Sequence, residues 1–140
     1  MGCCGTQPGV DVSYPSWVKV TLAFGAFSAA ALTSNANLYS LPAGGVLHAV
    51  KIKQSASFTG GAVASCTVSV GISGNNAKYA TAFDVFQASA ATTFQVTGTV
   101  GGEDQAAAFQ LTATAISTGA NLNALTAGSV DVWLLISVAL

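Results

Sequence analysis

The sequence predicts an all-β fold: an antiparallel β-sandwich, wound as a jelly roll or a related Greek key, over residues 17–140, with a flexible N-terminal arm at residues 1–16. Three observations carry this. Apolar side chains recur at every second position in several short runs, the period of a half-buried strand. Gly, Pro, Asn and Ser punctuate the runs as turns do. No window is both long and periodic enough for a helix of ordinary length. About eight short strands separated by turn signals indicate two packed sheets.

Residues 1–16 hold three Gly, two Pro and few apolar side chains, the composition of an arm. From Trp17 the pattern changes. In "WVKVTLAF", Val18, Val20, Leu22 and Phe24 share one face, while Trp17, Lys19, Thr21 and Ala23 share the other. In "VLHAVKIK", preceded by the turn "LPAGG", strict alternation puts Val46, His48, Val50 and Ile52 on one side and Leu47, Ala49, Lys51 and Lys53 on the other. Residues 63–72 set Ala64, Cys66, Val68, Val70 and Ile72 against Val63, Ser65, Thr67, Ser69 and Gly71, and "SGNN" at 73–76 breaks the run. Further strands are expected at 82–86, 92–100, 107–116 and 129–138, with "GGEDQ" at 101–105 as a hairpin tip. The Ala-rich pieces at 27–32 and 86–91 suit one or two helical turns at most.

Composition then excludes function classes. Four lysines, no arginine and five acids leave a net charge of −1, and the charged share is 6% where an ordinary soluble chain has about 25%. Nucleic-acid binding needs clustered cations to neutralise phosphates, so none is expected. The most apolar run, Val132 to Leu140, is nine residues long and too short for a helical membrane span. "MGCCGT" matches the myristoylation pattern, with Cys3 and Cys4 as second lipid sites. No polybasic patch supports it, the first lysine being Lys19, so an arm lying on a neighbouring subunit is expected and membrane attachment is not.

Catalysis has little material. His48 is the sole histidine, and a place among apolar strand residues makes it a packed or interface side chain ahead of a general base. Three cysteines form neither a disulfide framework nor a spaced zinc site, and Cys66 reads as a small buried residue. Glu103 and Asp104 read as a solvated turn ahead of a calcium loop. Asp84 and Asp131 sit within apolar strands and each needs a hydrogen-bond partner. No enzyme activity, cofactor or metal is expected.

The last strand is apolar on both sides. Val130, Val132, Leu134, Ile136 and Val138 form one face, and Trp133 and Leu135 accompany Asp131 and Ser137 on the other. Such a strand is either central with both faces covered, or covered by another subunit, and the second is favoured. Trp17, His48, Trp133 and Leu135 are the candidate interface residues.

Three stretches, "LPAGGVLHAVKIKQSASFTGG" (41–61), "VSVGISGNNAKYATAFDVFQ" (68–87) and "NLNALTAGSVDVWLLISV" (121–138), together resemble the jelly-roll-like head decoration or auxiliary proteins of tailed-bacteriophage virions. The resemblance implies a non-enzymatic structural protein, made in the host cytoplasm and located on the virion surface, that assembles as a homotrimer. It also implies a major capsid or other virion protein as partner. The alternative is a carbohydrate- or host-surface-binding module, with Trp17, Tyr39, Tyr79 and Trp133 as stacking platforms.

Overall fold

The computed structural model of the chain describes residues 15–86, 92–95 and 107–138. The eight strands are β1 (Ser16–Ala23), β2 (Thr33–Leu41), β3 (Gly45–Thr59), β4 (Ser65–Ile72), β5 (Asn75–Asp84), β6 (Thr92–Gln95), β7 (Phe109–Thr118) and β8 (Ala127–Val138). Short 3-10 turns occupy Phe24–Phe27 and Leu122–Ala124. The strands form two four-stranded sheets, ordered β1-β8-β3-β6 and β2-β7-β4-β5, and the pairs are antiparallel. The chain crosses from one sheet to the other at each connection except β4–β5, which fits the double Greek key of a jelly roll.

The core lies where the alternating apolar faces meet. Val50, Ile52, Val132 and Leu134 come from the first sheet, and Val68, Val70, Leu111 and Ala113 from the second; all eight are fully buried. At one end of the sandwich Phe27 and Phe58 pack with ring centroids 6.3 Å apart. Cys66 is buried in the same core, as its strand position implied.

Several expected elements differ. The chain from Thr33 forms β2, a strand that alternation did not suggest, because its outward positions are Thr, Asn and Ser and only Ala36, Leu38 and Leu41 turn inward. The expected helical turn at 27–32 is confined to the 3-10 turn ending at Phe27. Residues 73–76 do not end strand structure but turn it: Ser73 and Gly74 make a two-residue hairpin loop, with Gly74 at φ 87°, and β5 begins at Asn75. Strict alternation also fails in β3. His48 is an extra residue between Leu47, paired with Ile136, and Ala49, paired with Leu135. This bulge reverses the phase, so Leu47 and then Val50 and Ile52 point inward, while His48 does not share their face.

The arm at 1–14, the second Ala-rich piece from 87 onward, the continuation of β6 through 96–100 and the hairpin tip at 101–105 lie outside the described residues. Among the described residues, no helix is long and apolar enough to cross a membrane.

Candidate functional site

The outer face of the β1-β8-β3 layer is built by register. Because Val130, Val132, Leu134 and Ile136 turn into the core, Ser129, Asp131, Trp133, Leu135 and Ser137 turn outward. Pairing on both sides of β8 then sets three rows across the face: Trp17–Leu135–Ala49, Lys19–Trp133–Lys51 and Thr21–Asp131–Lys53. The four candidate interface residues therefore share one surface. Trp17 is 44% exposed, and Leu135, Trp133 and His48 are half-buried.

The middle row is a cation–π arrangement. The Nζ atoms of Lys19 and Lys51 lie 5.3 and 5.4 Å from the Trp133 ring centroid, one from each neighbouring strand. Each contact is worth about 0.5–1 kcal/mol at a surface, and the lysine stems shield part of the ring from water. The indole Nε1–H of Trp133 is buried with no hydrogen-bond partner among the described residues.

Asp131 has the partners that its place in an apolar strand demanded. The Thr21 hydroxyl donates to it at 2.7 Å, and Lys19 Nζ lies 3.6 Å from its other oxygen. With Lys19 about half exposed, the ion pair adds at most about 1 kcal/mol. Asp84 accepts the Phe86 backbone N–H at 2.9 Å and so holds the chain leaving β5. At the end of the face, His48 Nε2 and the Ser137 hydroxyl are 2.6 Å apart.

A base and a hydroxyl at that distance are two members of a nucleophilic triad, which also needs a group to orient the imidazole. The described carboxylates do not supply it. Asp131 is six residues from Ser137 along an extended strand, about 20 Å away, and Asp84 is on the other sheet. The pair acts as a cross-strand tie at the bulge. Among the described residues, no group of three His, Cys, Asp or Glu side chains is placed to hold a metal ion.

The four aromatic platforms differ in availability. Tyr79 is buried, Tyr39 and Trp133 are half-buried, and Trp17 alone of the four is exposed. Cys66 is inert chemically: burial first, and the Asp84 charge second, push its thiol up to about 11, so it stays protonated at neutral pH.

Sequence reasoning did not find the opposite surface. β2, β7 and β4 contain no charged residue, and the side chains that register turns away from the core include Asn35, which is exposed, Thr67 and Thr112, which are half-buried, and Ser69 and Thr114, which are buried. Thr114 donates to Asn35 at 2.8 Å across this face. Ile116 stands among them, 44% exposed. The signal was present in the absence of Lys, Asp and Glu from three strands, but it needed β2 to be recognised as one of them.

The described residues thus form an eight-stranded antiparallel sandwich with an aromatic and cationic layer at β1-β8-β3 and an uncharged polar layer at β2-β7-β4. No family model matches it, and no curated protein sequence does. Among solved structures, it is similar to a chain of the cyanophage Pam1 capsid asymmetric unit, with a TM-score of 0.52 and 20% sequence identity. The likeness covers 99% of this chain and 92% of that chain, and at this identity it is a likeness of fold.

Proposed function

We propose that the chain is a non-enzymatic structural protein of a phage virion, which binds an assembled capsid as an oligomer, a trimer, and reinforces it. The observation that supports this most is the shared fold, which runs almost end to end in both this chain and a chain of a phage capsid asymmetric unit. Two surface properties agree with it. The β1-β8-β3 face carries large apolar side chains where a monomer would carry polar ones, and the β2-β7-β4 face lacks charge, as the centres of protein interfaces do. Uncharged hydroxyls and amides are less costly to bury than ions, because backbone groups and trapped water satisfy them.

The test is sizing of the purified full-length chain with light scattering. A trimer that persists on dilution into the micromolar range supports the reading; a strict monomer at high concentration contradicts it. The carbohydrate-binding alternative keeps Trp17 exposed and Tyr39 half-buried, while Tyr79 is buried and Trp133 is set between two lysines.

A further inference from the structure

The edge strands of the two sheets are not alike. β2 and β5 pair through register shifts, between Asn37 and Tyr39 in the first and at two places along β4 and β5 in the second, and the described part of β6 is four residues long. β1 is regular. Its eight residues pair with β8 without a break, from Ser16↔Ile136 to Ala23↔Ser129, and no described strand pairs with its other side. The N–H and C=O groups of alternate residues on that side point away from β8. Natural edges are usually guarded by bulges, proline or inward-pointing charge, and β1 has none of these. Its one charge, Lys19, is drawn back over β8, with Nζ 5.3 Å from the Trp133 centroid and 3.6 Å from the Asp131 carboxylate.

The inner side of the same edge is incompletely covered. Val18 and Val20 turn toward the core and pack on it but are only half-buried, whereas Leu134 and Val132, their partners across the strand pair, are fully buried. A second copy of β1 completes this edge. Two antiparallel strands related by a two-fold axis match both their hydrogen-bonding sides and their side-chain faces only when the axis passes through a residue. Centring it on Lys19 sets two ammonium groups directly opposite, which is destabilising. Centring it on Val20 pairs Trp17 with Ala23, Val18 with Leu22, Lys19 with Thr21 and Val20 with its own copy, so that seven residues of each strand are in register. The half-buried valines then cover one another. Lys19 of each copy also extends the row in which Thr21 donates to Asp131 in the other, a position that favours a cation. Any other centre leaves at most five residues of the strand in register.

We propose that the edge of β1 facing away from β8 is a docking surface for a second copy of the chain, paired antiparallel about Val20 so that two β1-β8-β3-β6 sheets join into one sheet of eight strands. The contact is self-complementary and two-fold. It goes beyond the trimer proposed above: a two-fold contact at this edge links one trimer to the next.

The experiment is disulfide trapping in the full-length chain carrying C3S/C4S, which leaves the buried Cys66 and one introduced thiol. V20C should form a disulfide-linked dimer on mild oxidation, because two copies of position 20 face each other with Cα atoms about 4.5–5.5 Å apart. V18C and L22C should each remain unlinked alone and link to one another when mixed, with peptide mass spectrometry assigning the bond. V20K places a charge on the inner side of the edge and should weaken the two-fold step at least tenfold in sedimentation equilibrium, leaving the trimer intact, with circular dichroism verifying the fold of each variant. If V20C stays unlinked, or V20K keeps the two-fold step, the inference fails, and a trimer seen in the same samples leaves the function proposed above standing. If V20C links in the predicted pattern but no trimer forms, the edge contact stands and the trimer does not.

Discussion

Adjacent residues of β8 should respond to substitution in opposite ways. Leu134 is fully buried between the sheets, and truncating a buried leucine to alanine costs about 3–5 kcal/mol. Trp133 is its neighbour on the outer face, half-buried, with a buried N–H that has no acceptor among the described residues. Trp133→Phe removes that N–H, which recovers about 1–3 kcal/mol of uncompensated desolvation. Against this stand about 40 Å² of lost apolar contact, about 1 kcal/mol at 25 cal/mol per Å², and about 0.5 kcal/mol for a weaker attraction of the two ammonium groups to the smaller ring. The balance lies within about 1.5 kcal/mol of zero, so the variant should be as stable as the wild type or slightly more so. Urea denaturation followed by tyrosine fluorescence and far-ultraviolet circular dichroism measures both variants on one scale. A loss of more than about 3 kcal/mol in Trp133→Phe would mean that the indole is packed as core and that its N–H has a partner, and the outer face would then be wrongly described.

Three further outcomes follow from the packing. The Cys66 thiol sits at about 11 in the folded chain against 9.0 when unexposed to burial, so the neutral form is favoured by folding. Stability from this group is complete below pH 9 and is lost as the pH rises toward 11, by about 3 kcal/mol; the wild type should show that extra decline relative to Cys66→Ala in pH-dependent denaturation, and parallel curves would contradict it. Gly128 has φ 130°, and a Cβ there would lie 2.6 Å from the Phe58 Cα, so Gly128→Ala should destabilise by about 3 kcal/mol or more; a wild-type midpoint would show that β8 does not pass this close to Phe58. His48→Ala should cost about 1 kcal/mol through loss of its tie to Ser137, read as a shift in midpoint; a loss above 3 kcal/mol would show that the imidazole supports the core.

The fold class was legible because two-residue periodicity survives wherever one strand face meets the core. β1, β4 and β8 alternate cleanly, and their inward residues are those that alternation selects. β2 was not legible: Asn35 and Asn37 are poor strand formers, and among the described residues the strand pairs on one side only, with β7. The face of His48 was misassigned because a bulge is a property of two strands, visible only when Leu47 and Ala49 are seen to flank adjacent partners on β8. The candidate site was half legible. Alternation already placed Trp17 with Lys19, Trp133 with Leu135, and Lys51 with Lys53, but the row Lys19–Trp133–Lys51 depends on register between strands more than 80 residues apart in sequence. The uncharged opposite face escaped for the same reason, since its central strand, β7, meets its partners only across long crossovers.

Imaging of the assembled virion at a resolution that separates strands tests the proposed role most directly. An eight-stranded sandwich should appear on the capsid in threefold clusters, with the face of Lys51, Lys53 and Trp133 against a neighbouring molecule. A particle that lacks this chain, or that carries it with that face turned to open solvent, would contradict the proposal.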